Sequence, residues 1–599
     1  MSFAAAARKG AKWDEAAKPE EAVKGRSRLE AGVFSKGETR VIFRFGPPLL
    51  IAVLLLPVLA GLTATLLPAF GYWPALGGTH FTLDPWRALL ALPSLRRSIG
   101  VSLFVGFVTT VFSLGAVTVL LAAFMGTRLF ALVKRLLSPL LSVPYVALAF
   151  GLAFVIAPSG LIFRLLSPWA TGLERPPDLL IINDPYGLSL ACGLVLKEIP
   201  FLFLMMLAAL PQVDAVRAFT SARTLGYRRV AAFAKVVMPR LYPQLRLPVL
   251  AVLAYGLSVV DAALVLGPNT PPTLAVAVLR LAEDPDLALH FEASAAAVLQ
   301  LAVVLWAIGL WLVLERLAGF AWRQWVIGGG RFFCEAAISV MAPLLALAIA
   351  ALVALAFASL LLWSVAASWR FPEIWPQAFT FDIWRRELAV ALPIVLRTLL
   401  LGTGVAGAAL MITILCLENE TRRGIAPGLA FNLIYIPLLV PQIAFLTGAA
   451  SLMIALKLDG NGFGVGLVHL VFVLPYVFMS LSAAWRDYDP RYRATALLLG
   501  ASPWRALWAV RLPMLTRAIL IAGALGFAIS VSQYLATLLV GGGRFATVTT
   551  EAVGLAAGAD RRVVGVFALI QATLPFLGFA VSLILPALLF RHRRALRET

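Results

Sequence analysis

Twelve apolar runs, each long enough to cross a lipid bilayer as a helix, constrain this chain more than any other feature. They lie at about 47–70, 99–124, 137–158, 187–210, 247–267 and 294–315, then at about 337–366, 394–417, 428–452, 465–485, 518–540 and 564–590. A helical span of the hydrocarbon core takes roughly 20 residues. In lipid, only helices and closed barrels satisfy every backbone polar group internally, and runs of this length read as helices. The expectation is an all-α integral membrane protein with about twelve transmembrane helices. Composition agrees, since 61% of the 599 residues are hydrophobic and only 13% are charged. A soluble domain does not look like this.

Net charge of +20 raises the question of nucleic acid. Its placement answers no: most Lys and Arg fall in segments on one side of the expected spans, the positive-inside bias that marks the cytoplasm. An even number of spans returns both termini to that side. The polar stretch 1–42 is too long and polar for a signal peptide and reads as a loosely ordered cytoplasmic tail, its basic residues within reach of membrane lipid headgroups. The end, 591–599, begins Arg591-His-Arg-Arg594 and reads as a second basic cytoplasmic tail. The 3 cysteines and 4 histidines are scattered without metal-ligand spacing. No P-loop is present, and Gly402-Thr-Gly-Val-Ala-Gly407 lies inside a span, where small residues mark close helix packing. No nucleophile motif or carboxylate pair stands out, so neither catalytic residues nor a metal site are expected, and the chain reads as non-catalytic.

The spans form two parallel repeats. Pro144-Tyr145 followed by Gly151 matches Pro441-Gln442 followed by Gly448; Pro200-Phe201 matches Pro475-Tyr476; Ser258-Val-Val-Asp261 matches Ser530-Val-Ser-Gln533. Residues 43–316 are the first half, 317–336 a cytoplasmic linker containing Gly328-Gly-Gly330, and 337–590 the second half. With six spans in each, the halves share one orientation about an axis along the membrane normal.

Each half also carries the same polar loop between its fourth and fifth spans. The first is Asp214-Ala-Val-Arg-Ala-Phe-Thr-Ser-Ala-Arg-Thr-Leu-Gly226, and the second Tyr488-Asp-Pro-Arg-Tyr-Arg-Ala-Thr-Ala-Leu-Leu-Leu-Gly500. Pro239 follows Gly226 at the same interval as Pro513 follows Gly500, and Ala222 and Leu225 correspond to Ala496 and Leu499. Good helix formers ahead of a glycine predict a short helix closed by a left-handed residue, then a second helix set at an angle. The proline breaks or kinks that second helix on its way back to the membrane. Each loop is therefore a rigid elbow about 212–240 and 487–514 on the cytoplasmic side.

Ser221-Ala-Arg-Thr-Leu-Gly226…Val237-Met-Pro239 and Thr495-Ala-Leu-Leu-Leu-Gly500…Arg511-Leu-Pro513 resemble the "EAA" loops of ABC importer permeases. The usual glutamate is Thr220 in one copy and Ala494 in the other. The chain is most similar to fused, two-in-one permeases of the iron(III) and thiamine import type. The stretch Leu253-Ala-Tyr-Gly-Leu-Ser-Val-Val-Asp261…Leu266-Gly-Pro-Asn-Thr-Pro-Pro-Thr-Leu274 carries the resemblance to a thiamine branch. That resemblance implies two ATP-binding subunits, a homodimer holding ATP and Mg, docked on the elbows as coupling helices. It also implies a bacterial inner-membrane location and a periplasmic binding protein that delivers the solute, thiamine or a related cationic compound, with iron(III) and polyamines behind it.

Ionisable groups inside spans are costly and mark either a polar path or a structural pair. Asp261, with Gln533 and Tyr534 at a corresponding depth, points to the substrate path. Lys197 and Glu198 are open to both readings, and Lys197 could pair with Asp261. Tyr145 and Gln442, which follow matched prolines, complete the expected path. The rival reading is an ion-coupled secondary transporter that uses Asp261, Lys197 and Glu198, but such a protein has no need of two matched docking elbows.

Overall fold

Helix Gly46–Ala69 opens the described part of the computed structural model. The structure describes residues 43–137, 140, 143–330, 334–423, 433–558 and 560–590. The expected tails, 1–42 and 591–599, Arg331 of the expected linker, 138–139 and 141–142 of the third expected span and 428–432 of the ninth lie outside them. Among the described residues, 9 helices are long and apolar enough to cross a membrane. The number becomes 10 if Pro503–Met514 and Thr516–Ser532, bent by 74°, count as one span.

The expected twelve is not reached by this measure, for two local reasons. Gln442–Ala455 has only 14 residues, fewer than the roughly 20 that a full span takes. Met238–Ser258 begins with a polar segment containing Arg240 and Arg246, and stops at Val259, whose backbone is extended, before Asp261–Leu266 resumes the helix. Other helices outrun their apolar cores. Leu289–Ile327 has 39 residues, which at 1.5 Å each is about 58 Å against a core of about 30 Å. The stretch expected as a linker from residue 317 is therefore helical as far as Ile327. Away from the helices, Ala366–Ser368 and Ala378–Phe379 form a short antiparallel pair.

The two halves repeat element by element beyond each elbow. Ala215–Thr224 corresponds to Pro490–Leu498, and Arg229–Ala232 to Pro503–Ala506. Next come two π-helical turns, Phe233–Val237 and Leu507–Arg511, each ending just before the matched proline. A proline lacks an N–H and crowds the preceding carbonyls, and a widened turn ahead of it relieves that conflict. Beyond the turns lie two broken helices: Met238–Ser258 with Asp261–Leu266, and Thr516–Ser532 with Leu535–Gly541.

Each half's first helix crosses the third helix of the other half at a glycine. Gly46–Ala69 packs on Gln442–Ala455, where Thr65 Oγ1 accepts the Gly448 N–H at 3.0 Å and a side chain on Gly448 would strike the Gly61 carbonyl. Glu335–Val365 packs on Tyr145–Ile156, where a Cβ on Gly151 would sit 2.8 Å from Ala356 Cβ. Without a hydrophobic drive between helices in lipid, such close backbone approach supplies the packing energy.

Candidate functional site: a cavity between two broken helices

A helix broken inside the membrane strands its last carbonyls, and each half answers with a glutamine from its final helix. Gln300 Nε2 donates to the Leu257 carbonyl at 3.1 Å. Gln571 Nε2 donates to Thr549 Oγ1 at 2.8 Å, and that hydroxyl donates to the Val531 carbonyl. His469, fully buried, braces the second break from outside: its ring nitrogens lie 3.0 Å from Ser530 Oγ and 2.9 Å from Thr537 Oγ1, on either side of the gap. The histidines look scattered along the chain, and only the fold gives this one a partner on both segments.

The breaks correct the register expected for the repeat. The last residues before the gap are Ser258 and Ser532, and the next segments start at Asp261 and Leu535. Asp261 therefore corresponds to Leu535, while Gln533 and Tyr534 correspond to Val259 and Val260. The carboxylate has no polar repeat partner, although Gln533 and Tyr534 share its cavity.

That cavity, about 230 Å³, lies between the two breaks. Asp261, Gln533 and Tyr534 line it, and so do Tyr145, Lys197, Glu198 and Gln442. The fold thus brings all seven expected path residues to one space. Tyr255, Phe201 and Tyr476, which are not among the expected path residues, also line it. The last two were legible as the residues after the matched prolines Pro200 and Pro475.

Within the cavity the charges are held in different ways. Glu198 Oε1 accepts the Tyr145 hydroxyl at 2.6 Å. Asp261 Oδ1 accepts the Ala262 N–H at 2.9 Å and lies 3.5 Å from the Tyr255 hydroxyl. The Lys197 ammonium lies over the Tyr145 ring, 5.1 Å from its centroid. The same ammonium donates to the Leu140 carbonyl at 3.2 Å and to the Val143 carbonyl, tying both residues to the helix that carries Lys197. Among the described ion pairs there is none between Lys197 and Asp261, so the pairing considered for them is not what compensates the aspartate. The Tyr145 and Tyr255 rings, 4.8 Å apart, stand beside the two carboxylates.

The elbows close as their glycines require. Gly226 and Gly500 have φ of 87° and 83°. In each, the residue after the glycine donates back to the matched alanine: Tyr227 N to Ala222 O at 3.2 Å, and Ala501 N to Ala496 O at 3.0 Å. The glycine itself donates to Arg223 O or Leu497 O, completing the same double closure twice. Leu225 and Leu499 are 67% and 83% exposed, so each elbow presents a large apolar side chain outward. Thr220, in the place of the usual glutamate, turns its hydroxyl back to the Val216 carbonyl at 2.9 Å. The second elbow is also tied down by buried charge. Glu418 accepts from Arg422 at 2.7 Å and from Arg511 at 3.0 Å, with Arg493 of the elbow helix at 3.9 Å.

No protein-family model matches the sequence. Among curated proteins, the chain is similar to the inner membrane ABC transporter permease protein YnjC of Escherichia coli (strain K12), 29% identical over 536 residues, 88% of this chain and 94% of that protein. Shorter similarities link it to the molybdenum transport system permease protein ModB of Mycobacterium tuberculosis, 32% identical over 19% of this chain and 47% of that protein. The putrescine transport system permease protein PotI of Escherichia coli (strain K12) is 28% identical over 19% of this chain and 43% of its own length. This multi-pass helical chain with paired elbows is thus similar to an ABC transporter permease over most of its length, and in part to the permease proteins of other transport systems.

Proposed function

We propose that this chain forms the translocation path of an ATP-driven importer in the bacterial inner membrane, and that the cavity between the broken helices receives a small cation. Two ATPase subunits, holding ATP and Mg, sit on the elbows around Gly226 and Gly500, and a periplasmic binding protein delivers the solute. The carrying observation is the pairing of Glu198 and Asp261 with tyrosine rings in one space, while the nearest ammonium, Lys197, is committed to backbone carbonyls. Carboxylates and ring faces both attract cations and disfavour oxyanions. Thiamine is one such cation and rests on the sequence resemblance alone; the PotI similarity makes putrescine a second candidate.

The test uses the chain copurified with its ATPase and binding protein in liposomes, with labelled thiamine and putrescine as cationic probes and sulfate as the anionic one. Asp261→Asn and Glu198→Gln should each lower uptake of the cation at least about tenfold, equivalent to about 1.4 kcal/mol, while ATPase association persists. Sulfate uptake, or unchanged cation uptake in both variants, would refute the assignment.

A further inference from the structure

The two elbows differ in how the helix after the glycine begins. The first N–H groups of any helix lack intrahelical acceptors, and a side chain just ahead commonly supplies one. At the second elbow Ser502 does so, its Oγ accepting the Arg505 N–H at 3.2 Å. The corresponding residue of the first elbow is Arg228, which makes no such cap. Instead the carboxylate of Glu335 accepts the Val230 N–H, at 3.0 Å to Oε2 and 3.3 Å to Oε1. Val230 is buried, so its N–H left without an acceptor is costly. A carboxylate also suits the positive end of a helix.

Glu335 lies in the stretch expected as linker, but it starts the helix that the second half continues. It is the first residue of Glu335–Val365, the helix that goes on to cross Gly151, where Ser359 Oγ donates to the Gly151 carbonyl at 3.3 Å. The reciprocal contact is apolar: Phe43, ahead of Gly46–Ala69, lies 6.0 Å from the Trp504 ring of the second elbow. The second elbow is therefore capped within itself and bound by Glu418, whereas the first takes its cap from across the halves.

We propose that Glu335 is a positioning residue that latches the first elbow to the start of the second half, so that the two move as one body. The mechanical consequence rests on the reading of the elbows as ATPase seats; the latch itself does not. Spin labels at Arg223 and Ser339 in the full chain in lipid nanodiscs, with Cys192, Cys334 and Cys416 changed to serine, report it by pulsed electron resonance. Hydrogen exchange at Val230 is followed in parallel. The unaltered latch should give one narrow distance. Glu335→Ala should widen the distribution severalfold and speed Val230 exchange at least about fivefold, the loss that a missing cap brings. Glu335→Gln, which keeps an acceptor, should retain the narrow distance.

Adding Arg228→Ser to Glu335→Ala restores a local cap of the kind Ser502 provides, with Arg228→Ser alone as control. Val230 exchange should slow again while the distance stays broad. A distance narrowed by the double change would make Glu335 a local cap and no latch, and an unchanged distance in Glu335→Ala would overturn the proposal outright. Failure of an ATPase to copurify with the unaltered chain would count against the docking reading and leave the distance result standing.

Discussion

Glu418→Gln should loosen the second elbow and leave the first untouched. The carboxylate is almost fully buried and accepts two charge-assisted hydrogen bonds, from Arg422 at 2.7 Å and Arg511 at 3.0 Å. Each such bond contributes about 1.5–3 kcal/mol. Glutamine keeps one carbonyl acceptor, so about one bond is lost outright and two guanidinium groups stay buried without a counter-charge. Removing one partner of a buried pair costs roughly 3–5 kcal/mol, and with the carbonyl retained the lower end, about 3 kcal/mol, applies. Arg493, buried too but 3.9 Å from the carboxylate and beyond hydrogen-bond reach of it, shares an acceptor already engaged twice, so Arg493→Met should cost less than Glu418→Gln. Hydrogen exchange in nanodiscs separates these outcomes. Glu418→Gln should accelerate the amides of Leu507–Arg511 on the order of a hundredfold, since each 1.4 kcal/mol is tenfold, with Phe233–Val237 unchanged. Equal acceleration at both elbows, or an Arg493→Met effect as large as that of Glu418→Gln, would refute the reasoning.

Gly226→Val with Gly500→Val forces β-branched residues into positive φ, at about 1–2 kcal/mol each, and copurification should show weakened ATPase association in a chain that still inserts. Normal association and transport would remove the elbows as docking sites. Lys197→Met takes the ammonium donor from the Val143 carbonyl, while the Leu140 carbonyl keeps the Val143 N–H, and should lower thermal stability by roughly 1–3 kcal/mol; because Asp261 is not its partner, adding Asp261→Asn should rescue none of that loss. Single cysteines at Arg223 and Arg505 should react only with reagents that reach the cytoplasm, and those at Pro268 and Gly543 only from outside; the reverse pattern at either elbow would overturn the proposed orientation.

What the sequence determined by itself was whatever depends on composition over a window or on backbone conformation at one residue. Apolar runs of bilayer length disclose a helical membrane protein because lipid leaves the backbone no other partner. Gly226 and Gly500, each with its alanine four residues earlier, disclose the elbows because a left-handed closure tolerates little else. The residues expected in the path were legible singly, since ionisable and amide groups among apolar residues are rare. Their assembly around one cavity was not. Nor was the register of the breaks, because a shift of two residues inside an apolar run leaves the composition unchanged, and so Gln533 rather than Leu535 looked like the counterpart of Asp261. Contacts distant in sequence were decided by the tertiary structure alone. Lys197 found backbone carbonyls instead of a carboxylate, and Glu335 reached a buried N–H that is 105 positions away along the chain. A local rule such as capping shows that the first elbow lacks its own acceptor, but only the packing of the two halves shows which residue supplies it.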